Sequence, residues 1–327
     1  MRELTENGEH TAAPGCAVVA RLLGANPSGT ATFMRSWLMI EQPGPWPDDA
    51  LEQVLDEAFP PDRLSVLDDL HLSEGLRPLL IRRPGRHVRE PHQKRTVLVG
   101  AGDPGNRWLE RFEINKLSEL ADLDLEAIAD GRHGLGEPVA GPIFLVCTHG
   151  TKDMCCALLG RPLAASLDAN HPGRTWEVSH VGGDRWAGNL LVVPDGYLHG
   201  HLDADEAARV AKAALAGQVE PERLRGRTST ASRWAQHAEI AVRQRFGVRG
   251  LDDVLALHEI PLPGDDLDAE AWVVRVRSGP RLVDVTVRRR PPFRRADNRC
   301  AGPLAPAEFV TESILEVPAS MPRALTG

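Results

Sequence analysis

Apolar positions along the chain fall into short runs separated by polar, Gly- and Pro-rich breaks. Ser36-Trp37-Leu38-Met39-Ile40-Glu41 is an apolar run of strand length, broken by the Pro/Gly-rich stretch from Gln42 to Pro47. Asp48 then stands as a cap for a helix over 49–59, where Leu51, Val54, Leu55 and Phe59 share one face. Leu79-Leu80-Ile81 and Thr96-Val97-Leu98-Val99 predict two further strands, and 117–130 a helix. Strands alternating with helices define an α/β (α+β) unit.

Residues 131–142, GRHGLGEPVAGP, have the composition of a linker. Beyond them Ile143-Phe144-Leu145-Val146 predicts a buried strand ending at Cys147. A helix follows over about 156–169, opened by Cys156. Thr175-Trp176-Glu177-Val178 is a strand ending at His180, and a Gly-rich loop at 182–189 leads to the strand Leu190-Leu191-Val192-Val193. Asp195-Gly196 turns that strand into a hairpin running to Leu202. Asp203 with Glu206 forms a capping-box pattern for a helix over 204–216. The order β-α-β-β-α is the core order of a thioredoxin-like fold, and the first unit could be a diverged copy of it. The C-terminal third predicts a helix over about 229–245 and a hairpin over 272–288 turning at Ser278-Gly279-Pro280. The expected organisation is therefore a disordered 1–15, an N-terminal α/β domain over 16–135, a second domain over 141–220, and a helical and hairpin extension over 221–327.

Composition narrows the function classes. Of 327 residues, 42% are hydrophobic and 26% charged, which fits globular domains with real cores. The balance of 38 basic against 46 acidic residues, net −8, disfavours a nucleic-acid binder. No run approaches the roughly 18 apolar residues of a membrane span, and the N-terminal stretch lacks the apolar core of a secretory signal. A cytoplasmic protein is the expectation. Five cysteines, Cys16, Cys147, Cys155, Cys156 and Cys300, are too few and too uneven for a disulfide scaffold. Three of them fall within ten residues, which in a reducing compartment points to metal or redox chemistry.

The main constellation is Cys147-x8-Cys156-x23-His180-x3-Asp184. Cys147 and His180 end predicted strands of one sheet, and Cys156 starts the helix beside them, so strand ends and a helix start converge on one edge. A helix N-terminus favours thiolate at Cys156. Thiolate and imidazole are ligands for zinc or for an iron–sulfur cluster, and the spacing by itself leaves both open, alongside buried cysteines and a core histidine without metal.

These residues carry a resemblance. Val146-Cys147-Thr148-His149-Gly150-Thr151-Lys152-Asp153-Met154-Cys155-Cys156, followed by Ser179-His180-Val181-Gly182-Gly183-Asp184-Arg185-Trp186-Ala187-Gly188-Asn189, resembles the sucrase/ferredoxin-like family over about 143–202. Cys16-Ala17 and Ile40-Glu41-Gln42-Pro43-Gly44-Pro45-Trp46 are similar to its N-terminal segment. The resemblance implies a thioredoxin-like [2Fe–2S] ferredoxin domain and an electron carrier rather than an enzyme with its own substrate. Its partners would be a reductase or an oxidase, with no membrane and no nucleic acid. Carried across, Cys147 and Cys156 hold one iron and His180 helps hold the other. The fourth position falls on Asp184, where one branch of the family has histidine. Asp184 can ligate, or it can orient His180 while His149, Cys155 or water completes the site. Mixed Cys/His/Asp ligation implies a potential above the roughly −400 mV of plant-type sites. The rival readings are a structural zinc module on the same four residues and a metal-free thiol oxidoreductase acting through Cys155 or Cys156.

Three other features have ordinary readings. Gly100-Ala101-Gly102-Asp103-Pro104-Gly105 fits G-x-G-x-x-G, but Asp103-Pro104-Gly105 has the chemistry of a turn. His199 and His201 share one face of a strand and are expected as a surface pair. Residues 275–299 hold nine Arg and two Asp, read as the solvated face of the hairpin and its tail rather than a docking patch.

Overall fold

The computed structural model of the protein describes residues 15–85, 94–263, 270–290 and 308–318. The N-terminal tail, part of the Arg-rich segment with Arg294, Arg295 and Arg299, and Cys300 lie outside the described residues. The chain begins with α1 (Cys16–Leu22), β1 (Ser36–Glu41), α2 (Ala50–Ala58), α3 (Pro61–Ser73) and β2 (Leu76–Arg82). The hairpin β3 (Arg95–Asp103) and β4 (Asn106–Ile114) follows, then a 3₁₀ turn over Leu117–Asp122, α4 (Leu125–Ala129) and the two-residue β5 (Glu137–Pro138). Next come β6 (Ile143–Cys147), α5 (Met154–Asn170), β7 (Thr175–Val178), β8 (Leu190–Val193), β9 (Tyr197–His199) and α6 (Ala204–Leu215). The described chain closes with β10 (Leu224–Arg227), α7 (Arg233–Phe246), β11 (Val254–Leu262), β12 (Ala271–Ser278), β13 (Arg281–Arg290) and β14 (Glu308–Glu316).

The mixture of helices and strands is the expected α/β class, and its topology repeats. β1 runs parallel to β2, pairs antiparallel with β3 on its other side, and β3 pairs with β4. In the second half β6 runs parallel to β7, pairs antiparallel with β8, and β8 pairs with β9. The two quartets meet edge to edge where β2 pairs antiparallel with β7, through Ile81↔Val178 and Arg82↔Glu177. The result is one ten-stranded sheet, β10-β9-β8-β6-β7-β2-β1-β3-β4-β5. The stretch expected as a linker is tied to this sheet. β5 pairs with β4, and the Glu110 carboxylate accepts the backbone N–H groups of Gly134, Leu135 and Gly136 at 2.7–3.0 Å.

Strands β1 and β6 read as uninterrupted apolar runs because both of their faces are covered. Alternation sends Trp37 and Met39 of β1, with Leu145 and Cys147 of β6, to one shared core. Leu38 and Ile40 pack under α2, α3 and α4, while Phe144 and Val146 pack under α5 and α6. Asp203 and Glu206 make both bonds of the predicted capping box, at 2.8 and 2.9 Å. Gly100 to Gly105 forms the end of β3 and its turn into β4, with Gly105 at φ +76°, so no helix N-terminus is present to receive a phosphate. The predicted C-terminal hairpin is β12–β13, flanked by β11 and β14 into a separate four-stranded sheet on which α7 packs. Among its described arginines, Arg275, Arg288 and Arg289 face carboxylates, at Asp284, Glu312 and Glu270.

One close approach fixes α5 over the end of β6. A Cβ at Gly160 would stand 2.1 Å from the carbonyl oxygen of Cys147, a backbone atom with no room to yield. Gly160→Ala is therefore expected to push α5 off β6 and to lower stability by about 1–3 kcal/mol or more. The check is urea unfolding alongside metal uptake; an unchanged midpoint would contradict the packing described.

Candidate functional site

The four predicted residues come from three neighbouring segments on one edge of the sheet. Cys147 ends β6. Cys156 lies in the first turn of α5, whose start is capped by Asp153 accepting the Cys155 N–H at 2.7 Å. His180 follows β7 by two residues. Gly182 and Gly183, both left-handed at φ +82° and +76°, then swing the chain into a 3₁₀ turn over Asp184–Trp186. Those glycines are required by what they pass: a Cβ would meet Thr32 Oγ1 at 2.3 Å or Arg225 Nη2 at 2.4 Å.

The donors form two pairs with one bridge. Cys147 and Cys156 are hydrogen-bonded to each other. His180 Nδ1 lies 3.0 Å from Asp184 Oδ1. The Cys156 thiol donates to that same oxygen at 3.5 Å. Among the described residues, no three of the four donor atoms lie mutually within 4.8 Å. His180 Nδ1 is sealed from solvent without a well-aligned hydrogen bond, an uncommon condition for a buried ring nitrogen.

Charge is distributed differently from the sequence expectation. The hydrogen bond from Cys156 holds the Cys147 thiol down at about 7 against the cost of burial, helped by the backbone N–H groups of Val181 and His149. Cys156 is pushed up, because its proton serves the Cys147 sulfur and because it is buried near the charges of Cys147 and Asp184. Of the pair, Cys147 is the more acidic: donors aimed at its sulfur outweigh the helix N-terminus at Cys156. The Asp184 carboxylate raises the His180 imidazole. Burial opposes the Asp184 charge, but His180, the Cys156 thiol and Arg225 outweigh it and hold the carboxyl below its ordinary range.

Arg225, on β10, was not singled out by any sequence pattern, and it lies beyond the expected 141–220 boundary. It is 1% exposed. Its guanidinium donates to Gly182 O and Asn189 Oδ1, both at 2.8 Å, and to Thr30 O at 2.6 Å and Thr30 Oγ1 at 3.1 Å. None of these partners is a carboxylate. Burial lowers Arg225 to about 9, and the charges that oppose this are Cys147, Asp184 and Cys156. It remains cationic at neutral pH, directly behind the Gly182–Gly183 loop.

The loop between Cys147 and Asp153 is held by the N-terminal half. His149 Nε2 meets Pro47 O at 3.0 Å, and the Thr151 hydroxyl donates to Trp46 O at 2.7 Å. Arg82 stacks 4.0 Å over the Trp46 ring and donates to Glu177 at 2.7 Å, while Thr148 donates to the same carboxylate at 2.8 Å. The Gln42-to-Pro47 stretch is therefore a buttress for the site loop. It explains why His149 faces Pro47 and Trp46, not the four donors.

Other expectations change. His199 and His201 are not a surface pair: they are 1% and 0% exposed. His199 meets Glu220 O at 2.9 Å, and His201 packs edge-on against Trp186. Cys155 is buried and points away from the four donors, toward Cys16 and Asp153. These three form the one group of three metal-type ligands within 4.8 Å among the described residues. No described helix is long and apolar enough to cross a membrane.

Among family models, the one described as sucrase/ferredoxin-like matches residues 27–226. No curated protein and no solved structure matches the chain. The matched segment covers both halves of the ten-stranded sheet, and it includes Arg225 but not Cys16.

Proposed function

Because the chain belongs to the sucrase/ferredoxin-like family, we propose that it carries a [2Fe–2S] cluster on Cys147, Cys156, His180 and Asp184 and serves as an electron carrier. The observation that carries this reading is the arrangement of the donors as two pairs, a thiol pair and an imidazole–carboxylate pair, linked at 3.5 Å but with no compact triad. A single tetrahedral zinc draws its ligands to within about 4 Å of one another, so the two-pair spacing favours two metal ions over one. The acidified Cys147 and the His180 Nδ1 sealed from solvent beside Asp184 fit the same reading, since both are donor atoms held inside the site.

When bound, such a cluster accepts and returns one electron. The chain's own residues hold it and set its surroundings. Cys147 supplies a thiolate stabilised by backbone N–H groups of Val181 and His149. Asp184 contributes a carboxylate that His180, with the Cys156 thiol and Arg225, keeps ionised against burial. Val178 and Val181, neither more than 1% exposed, pack in one cluster with the thiols and shield them from water. His180 and Asp184, about 29% and 30% exposed at their side chains, are the edge nearest solvent and the natural approach for a partner redox protein. The metal-free thiol alternative is less well supported, since Cys155 and Cys156 are 5% and 1% exposed and Cys156 holds its proton.

The test is anaerobic purification with iron and acid-labile sulfide assays. The expected protein is red-brown, holds about two iron and two sulfide per chain, and bleaches with dithionite. A folded, colourless protein without iron or sulfide would overturn the proposal.

A further inference from the structure

We propose that Cys16, Asp153 and Cys155 form a second metal site, separate from the first, that takes a soft divalent cation of the zinc class. Three segments far apart in sequence converge there: the start of α1, the cap of α5 and the first turn of α5. The sulfurs of Cys16 and Cys155 stand 3.8 Å apart, and Cys16 Sγ lies 3.7 Å from Asp153 Oδ2. All three donors fall within 4.8 Å of one another. Two thiolates at about 2.3 Å from a tetrahedral zinc stand about 3.8 Å apart, and a carboxylate oxygen at about 2.1 Å stands about 3.6 Å from either. The observed spacings therefore need little movement to close on an ion, whereas the sulfurs are far beyond the roughly 2.05 Å of a disulfide.

The surroundings are built for it. Asp153 uses Oδ1 to accept the Cys155 N–H at 2.7 Å, which leaves Oδ2 turned to Cys16. This is the orienting hydrogen bond that metal-binding carboxylates carry. Gly15 lies close beside the sulfurs, where a Cβ would stand 2.5 Å from Cys155 Sγ. Uptake of the cation releases two thiol protons to solvent. The bound site then carries 2 − 2 − 1 = −1, and its fourth position is open to water. The ion would clamp α1 to α5 one residue from Cys156, and α1 packs against the turn that bears Asp184.

The test uses the full chain, reduced and anaerobic, titrated with Zn²⁺ against a chromophoric chelator and separately with Co²⁺. Wild type should take up one equivalent more zinc than Cys16→Ser or Cys155→Ser. The thiolate-to-cobalt charge-transfer band attributable to this site should be lost in each. Iron content, assayed in parallel, should be the same in Cys16→Ser as in wild type, so failure here and failure of the iron reading give different results. Equal zinc stoichiometry in wild type and Cys16→Ser would refute the site, as would recovery of Cys16 and Cys155 as a disulfide in the reduced protein. Should Cys155→Ser not fold, alkylation of wild type decides: zinc must protect Cys16 and Cys155, and unchanged labelling ends the proposal.

Discussion

Cys147→Ser is expected to leave the purified protein colourless, with iron below about a tenth of the wild-type content. Loss of a hydrogen-bonding partner outside the ligand set already costs roughly 10–100-fold in metal affinity, and loss of a thiolate ligand costs at least that. Cys147 matters most because its sulfur is the acidic one, at about 7, with backbone donors and Cys156 turned toward it. Serine keeps the volume and the buried position, so the fold should survive while a soft donor is replaced by a hydroxyl that holds its proton. Circular dichroism separates the two outcomes. A folded Cys147→Ser protein that still holds wild-type iron would exclude Cys147 from the ligand set and with it the two-pair site.

Arg225→Met is expected to have the largest effect on stability, a loss of about 3–5 kcal/mol, read as a lower unfolding midpoint in urea. The methionine fills much of the space but leaves Gly182 O, Asn189 Oδ1 and Thr30 O without their donor in a buried place. It also removes the cation that offsets the charges of Cys147 and Asp184. Arg225→Lys distinguishes the two contributions. It retains the charge but not the planar fork that reaches Thr30, Gly182 and Asn189 together, so an intermediate midpoint is expected. In iron-loaded protein the methionine variant should also show a more negative potential, since a nearby positive charge favours the reduced state. A methionine variant within about 0.5 kcal/mol of wild type, the ordinary range for an inert surface change, would show that Arg225 is not the pillar of the site.

The sequence by itself determined most of the elements and the residues of the thiol and imidazole segments. Strands β1, β6, β7 and β8 are legible because buried strands leave apolar runs, and α6 is legible because its capping box is a local pattern. Helix α3 left almost no signal, since only Leu67 is fully buried along its length. The edge strands β11 and β14 are half-exposed and equally faint. The converging strand ends and helix start were inferable, because an α/β crossover puts them on one edge of the sheet.

Only the tertiary structure decided what lies between distant segments. The joint of β2 with β7 rests on two residue pairs and has no local signature. Cys16 meets Cys155 across 139 positions of sequence, and Arg225 reaches Thr30 across 195. Which cysteine of the pair is the more acidic was decided the same way. Helix position favours Cys156, but acidity is set by the donors that surround a sulfur in space, and the folded chain turns them on Cys147. Periodicity and capping act over a few residues and are written in sequence order. Burial, charge pairing and metal geometry depend on distances through space, which the chain acquires only when it folds.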